Sequence, residues 1–511
     1  MADNLTRSTV GGFKWTYGSL AVTIVLQIIF TAAMARLLDP SDFGVLAMAL
    51  VFIRFGGYFA RMGVGQALIQ KPNLTEVEVG AGFASTAALG ALFTLVLVGA
   101  APFAAALFDD ADVVPIARAM ALTFTIQGLG IAANSLLRRK LRFRAVAVIE
   151  IVAYALGYVG VGLAAAMLGA GVWSFVAAAL AQASMSSALS YALEAHPIRV
   201  EFKMRDLSAL YSFGGKVTAI SLLEFVGSTL DTVFIGRFAG QASLGQYNRG
   251  QQLVNLPLER VTQGMTRVLF PALSAIQQET ERLRRTYLSA VRIIAVLVIP
   301  AGAGMAAAAF EIVTVVLGPG WNEAARVLPF LAMLAALNLL CLLPAIICEA
   351  RAVLNAKFLV QVFHLVVLAS LLSLSVGRSL TAYAIAGAAA QLVRLLGYAL
   401  IMRGTIGVRL KDVARMLMPV VLTAGVVAAA IVMLSIAGRA SELGPFFTLV
   451  LQCSTGGVLL GFGLYFGPLK PVRADVYHRL TAARLLDTSQ RGASSRVERV
   501  IAWRLGSSLR E

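Results

Sequence analysis

Three arginines, Arg249, Arg260 and Arg267, fall inside a stretch that otherwise reads as membrane-spanning helix. At about 100° per residue their spacing returns to within roughly 20° of one direction, so they form a stripe on one face. Each Arg at membrane depth costs roughly 2.5–3.5 kcal/mol on insertion scales, and such residues face a water-filled cavity or a partner. Two further arginines, Arg54 and Arg61, share a face of an earlier span with Tyr58 close by, and Lys216 precedes the stripe. Guanidinium groups bind phosphate oxygens bidentately, so the set points to a cationic cavity for an anionic cargo. The carboxylates Glu224 and Asp231 also share a face of one span. They are candidates for ion coupling, or for structural ion pairs with these arginines.

The elements that carry these residues follow from composition. Of 511 residues, 59% are hydrophobic and 14% charged, and the mean hydropathy is +0.81. Soluble domains carry about 25% charged residues. A bilayer core of about 30 Å needs roughly 20 apolar residues as helix. Fourteen candidate spans meet that length: 12–36, 43–66, 79–107, 114–137, 144–168, 170–193, 211–236, 244–272, 287–317, 324–348, 357–376, 379–402, 415–437 and 444–467. The second and eighth are the least apolar. The fold expected is an all-α polytopic membrane protein. Its parts are a six-helix bundle over 1–193, a linker over 194–210, a second six-helix bundle over 211–402, two more spans within 403–467, and a basic tail over 468–511.

Charge orients the chain. If the amino terminus is cytoplasmic and all fourteen spans cross, one side receives Arg7, Lys14, Lys71, the basic run from Arg138 to Arg144, Arg199, Lys203, Arg205, Arg282, Arg284, Arg285, Arg351, Lys357, Arg403, Arg409, Lys411, Arg415 and the tail. The other receives Arg36, Arg237, Arg378, Arg439 and the acidic turn Asp109-Asp110-Ala111-Asp112. The positive-inside rule then places both termini in the cytoplasm. The net charge of +17 is that of short loops facing anionic lipid headgroups; nucleic acid is not an expected partner. Cys341, Cys348 and Cys453 lie in apolar runs without metal spacing and are expected to pack. The motifs for nucleophiles, metals and nucleotides are absent from the sequence, and no cofactor is expected.

The chain also repeats itself. Arg36 and Gly44 bracket the first hairpin, and Arg237 and Gly245 bracket another at an offset of 201 residues, with Lys14 and Lys216 before the two. Six crossings return a chain to the same side, so equivalent hairpins imply parallel repeats, with a cargo site between the halves as is common in transporters.

The segment Met34-Ala-Arg-Leu-Leu-Asp-Pro-Ser-Asp-Phe-Gly-Val-Leu-Ala-Met48, followed by Gly63-Val-Gly-Gln-Ala-Leu-Ile-Gln70, resembles the amino-terminal signature of bacterial polysaccharide flippases. These are the Wzx-type exporters of the multidrug/oligosaccharidyl-lipid/polysaccharide superfamily, in particular the colanic-acid-exporter-like branch. Tyr247-Asn-Arg-Gly-Gln-Gln-Leu-Val-Asn-Leu-Pro257 and Arg267-Val-Leu-Phe-Pro-Ala-Leu273 are similar to that branch's eighth span, and Leu317-Gly-Pro-Gly-Trp321 resembles its loop after the ninth. After the tenth span the chain has Glu349-Ala-Arg-Ala-Val353 where that branch has a more glycine-containing turn. The resemblance implies two bundles alternating access to a central cationic cavity in the inner membrane. The implied cargo is an oligosaccharide repeat unit on undecaprenyl pyrophosphate. Membrane lipids and polysaccharide polymerase or export machinery are the further implied partners.

Two rival readings are weaker. A cation-coupled drug exporter would take a cationic cargo, against a span interior richer in Arg and Lys than in Asp and Glu. A membrane polymerase would offer a sizeable external loop or a paired-carboxylate site at a membrane face.

Overall fold

The computed structural model describes residues 2–60, 64–71, 74–197 and 215–465, and every regular element among them is helical. The first half comprises α1 (Ala2–Leu37), α2 (Pro40–Ala60), a short α3 (Val64–Gln70), α4 (Glu76–Phe108), α5 (Val113–Arg139), a fifth crossing built from α6 (Phe143–Tyr154), a π-helical segment (Ala155–Gly162) and α7 (Leu163–Met167), and α8 (Trp173–Leu193). The second half comprises α9 (Gly215–Ala275), α10 (Thr280–Ala307), α11 (Ala309–Val316), α12 (Asn322–Leu340), α13 (Leu342–Ala350), α14 (Leu354–Leu374), α15 (Leu380–Ile406), α16 (Leu410–Ala440) and α17 (Pro445–Tyr465).

Twelve stretches among the described residues are long and apolar enough to cross a membrane. They match the first six and last six of the fourteen expected spans. The second span qualifies despite its weaker apolarity. The seventh and eighth are the two arms of α9, which bends at Gly240. With φ 83° and ψ 174°, that residue sits where a side chain would be strained, so glycine makes the reversal. The expected linker is described only over 194–197, and the tail over 468–511 lies outside the described residues.

Local signals set the helix ends. Thr75 and Glu78 form a reciprocal capping box at the start of α4: Glu78 N donates to Thr75 Oγ1 (3.3 Å) and Thr75 N donates to Glu78 Oε2 (3.0 Å), satisfying two of the helix's free donors. α15 stops at Gly407, φ 68°, as left-handed helix stops commonly do. In the turn after α13, where the resemblance called for glycine, Ala352 itself takes φ 55°.

Large apolar side chains project outward, among them Leu95, Leu400 and Met433 at about 70% exposure; in a bilayer those faces meet lipid tails. The interior is built from one core shared by both halves, with Phe43, Met48, Phe108 and Ile116 against Leu244, Tyr247 and Trp321. A second core joins α10, α12, α13 and α15 around Leu283, Ile294, Ile347 and Tyr398. α16 lies along α10 and, with α17, closes over Ala308.

Candidate functional site

α2 and the two arms of α9 meet at the heart of the molecule, and below their crossing lies a cavity of about 590 Å³. Its wall is assembled from helical faces. The first arm of α9 presents Glu224, Ser228 and Asp231, and the second arm presents Gln251 and Asn255. α15 adds Gly387, Gln391, Arg394 and Tyr398 at helical spacing, α14 adds His364, and α2 contributes Arg54 alone. Arg54 lies about 21 Å along α2 from Pro40 at 1.5 Å per residue, inside a helix long and apolar enough to cross a membrane.

The charges are not paired as the sequence reading proposed. Glu224 and Asp231 share the cavity face as expected, but neither meets one of the candidate arginines within ion-pair distance among the described residues. Glu224 binds Lys357 (Nζ–Oε1 3.0 Å), which also holds Glu349 (2.7 Å). Lys357, at the edge of the span expected over 357–376, sits one turn into α14 with only 4% of its side chain exposed. Asp231 takes neutral donors: Tyr247 Oη at 3.0 Å, Gln251 Nε2 at 3.2 Å and the Thr232 backbone N–H at 2.7 Å. Arg394 donates from Nη2 to Asn338 Oδ1 at 2.6 Å. Arg54 makes no hydrogen bond or ion pair among the described residues. The wall thus has two guanidinium groups and two carboxylates, Glu224 sharing Lys357 with Glu349 and Asp231 held by neutral donors. A dianion entering here would meet Arg54 with its donors unused.

Arg249 stands apart from this wall. It is buried, with its guanidinium 4.6 Å from the Phe43 ring centroid, Nη2 donating to Asn248 Oδ1 (2.9 Å) and Nε without a partner. Arg54 lies near enough to interact with it electrostatically, so the two halves bring one cation each toward the crossing. The side chains of Lys216, Arg260 and Arg267, and the whole of Arg61, lie outside the described residues. Arg394 and His364 are cavity residues outside the candidate set read from the sequence. Their signal was weak, because a single charge on a span does not say which neighbour it faces.

The face bearing the α1–α2 turn is clasped shut by the repeat. A Cβ on Gly44 would lie 2.0 Å from the Gln241 carbonyl oxygen, and one on Gly245 would lie 1.8 Å from the Pro40 carbonyl oxygen. Each hairpin glycine therefore rests on the backbone that opens the other half's equivalent helix. The two repeat arginines cross over in the same way. Arg36 donates to the terminal carbonyls of α11, Val315 and Val316, both at 2.7 Å. Arg237 donates to Ala106 near the end of α4 (3.1 Å) and faces Asp109 (3.5 Å). Each satisfies the orphan carbonyls that end a helix of the opposite half. Trp321 adds a bond from Nε1 to Ala35 O (2.9 Å) and packs edge-on to Phe43.

A family model described as "Polysaccharide biosynthesis protein" matches residues 33–326. The chain is 26% identical over 340 residues to the teichuronic acid biosynthesis protein TuaB of Bacillus subtilis (strain 168), across 66% of this chain and 70% of that one. It is 24% identical over 343 residues to the lipopolysaccharide biosynthesis protein WzxC of Escherichia coli (strain K12), across 66% and 68%. Among solved structures, the lipid II flippase MurJ in an inward closed conformation superposes with a TM-score of 0.68 at 10% identity, covering 90% of this chain and 99% of that one. That last likeness is one of fold.

Proposed function

This chain belongs to the polysaccharide biosynthesis protein family, and from that premise we propose that it moves lipid-linked oligosaccharide repeat units across a membrane. The observation that carries the reading is the cavity below the α2–α9 crossing, where Arg54 faces open space at bilayer depth without an acidic partner among the described residues. A cation placed there at a cost of some kcal/mol implies an anion that offsets it. A pyrophosphate on a polyprenol fits, because the guanidinium fork matches its oxygens while the tail stays in lipid. Undecaprenyl pyrophosphate is the carrier we propose. Lys216, Arg61, Arg249, Arg260 and Arg267 are the further candidates for the phosphate path. No bond needs to break, so the activity is translocation rather than catalysis.

We propose that the termini and residues 138–144 lie on the cytoplasmic side of the bacterial inner membrane and the clasped face on the other, an orientation that the basic loops support. In that orientation the described conformation is shut toward the outside. Exchange of the clasp for an equivalent closure at the cytoplasmic face would complete alternating access.

The test is deletion of the gene followed by recovery of lipid-linked oligosaccharide from the two membrane faces. The expected result is accumulation of a complete repeat unit on undecaprenyl pyrophosphate at the cytoplasmic face. Normal export without accumulation would overturn the reading.

A further inference from the structure

A second cavity, about 730 Å³, lies wholly within the first half between α5 and α8, with α3 and α4 along its side. Its size falls within the roughly 300–1,000 Å³ of small-molecule sites. Its chemistry differs from that of the charged cavity. α5 presents Gln127, Asn134 and Arg138, and α8 presents Gln182, Ser186 and Ser190, each set on one helical face.

Polar side chains inside a membrane bundle ordinarily bond to one another across helices. These do not. Among the described residues, the side chains of Gln127, Gln182, Ser186 and Ser190 make no hydrogen bond at all. The charged members neutralise each other: Arg138 donates to Asn134 Oδ1 (2.8 Å) and to Glu150 Oε1 (3.2 Å). What remains is a neutral wall of amides and hydroxyls, groups that both donate and accept. A diphosphate would find its one possible cation already occupied. An apolar compound would leave the amides unsatisfied, which disfavours its binding. A polyhydroxylated ligand matches them group for group, since every sugar hydroxyl also donates and accepts.

We infer that this pocket binds neutral sugar residues of the cargo while its diphosphate is held at Arg54. The inference rests on the flippase reading and assigns the glycan a seat separate from the phosphate. The two seats lie on either side of α2: Arg54 lines the charged cavity, and Gly56, about 200° further round the helix, packs against Phe124 of α5, one turn from Gln127, so a cargo filling both straddles that helix. Arg138 and Ser190 stand in the last turns of α5 and α8, so the pocket lies toward the cytoplasmic face in the orientation proposed above.

The test uses the full-length protein in nanodiscs with two probes: bare undecaprenyl diphosphate, and the lipid-linked repeat unit purified from cells lacking the gene. The variants are Gln182→Leu with Ser186→Val, which keep size and add apolarity to a membrane helix, and Arg54→Ala as the phosphate control. The expected result for the α8 variant is at least tenfold weaker binding of the glycosylated probe with unchanged binding of the bare one, while Arg54→Ala weakens both. Equal loss of both probes by the α8 variant would make the pocket structural, and no loss of either would leave it a water-filled void; each result overturns the inference. Should the pair fail to insert, Asn134→Leu carries the same comparison from α5. Wild-type protein that binds the bare carrier as tightly as the glycosylated one also overturns it, leaving the flippase reading intact. Binding of neither probe overturns both.

Discussion

Arg249 poses the sharpest question at the level of single residues. It is buried against Phe43 with one amide contact and an unpartnered Nε, and no carboxylate lies within 4 Å among the described residues. A structural arginine would be expected to hold a carboxylate or several carbonyls. Replacement by Met, which keeps length and loses charge, should therefore leave folding intact or improve it, by a few °C in detergent thermal melts. Export should fall at least tenfold if the cation serves the cargo. Full export by Arg249→Met would remove it from the phosphate path. Lys357 is the opposite case, a cation whose partners are both visible. Lys357→Met leaves Glu224 and Glu349 facing each other without it. The loss should lie below the roughly 3–5 kcal/mol of a fully buried pair, because the two carboxylates are 44% and 41% exposed. Thermal melts should show a drop that Lys357→Met combined with Glu224→Gln partly recovers. Unchanged stability in the single variant would mean that the triad contributes nothing to the fold.

Among the elements, α9 decides most of what the molecule can do, and its legibility was uneven. Hydropathy alone left its second arm weak, the alternation of basic loops kept that arm in the span count, and the repeated Arg and Gly marked the turn between the two. The bend at Gly240 and the seating of Gly44 on Gln241 depend on which backbone approaches which, and span-by-span reading carries no such information. For the same reason sequence reading left Asp231 and Glu224 open between ion coupling and arginine pairs, whereas among the described residues they meet Tyr247, Gln251 and Lys357, groups whose proximity arises only when α9 folds back and α14 packs beside it. The polar stripes on α5 and α8 were missed because an average over twenty residues dilutes four amides and hydroxyls among apolar neighbours. A periodicity count of Gln, Asn and Ser would have found them. Backbone contact at the clasp makes a strong prediction at this scale. In a variant whose native cysteines are Ser, a cysteine at Asn255 should be labelled by an impermeant maleimide from the cytoplasmic side only. Gly44→Ala with Gly245→Ala forces backbones apart by more than an ångström, and should make that cysteine reactive from the opposite side while export drops. Outside labelling that stays at background in this double variant would show that the clasp is not the outer barrier.

Across the whole molecule, the clasp has the form of a contact between two copies of one subunit. In a two-fold dimer, residue i of one chain meets residue j of the other, and j meets i. Gly44 on Gln241 and Gly245 on Pro40 obey that rule at the 201-residue offset, and Arg36 and Arg237, themselves at that offset, each cap a helix end of the opposite half, α11 and α4. Covalent continuity is then a convenience of assembly rather than a condition of it. Two polypeptides, 1–205 and 206–511, made separately in one cell should find each other through this surface, co-purify, and restore capsule or exopolysaccharide production to a deletion strain. Pairing should fail when Gly44 and Gly245 are both replaced by Leu, and pairing that survives would move the recognition surface elsewhere. A protein whose halves meet as homodimer subunits do is one in which each half can change its cargo-facing wall independently, provided that the shared seam stays complementary to itself.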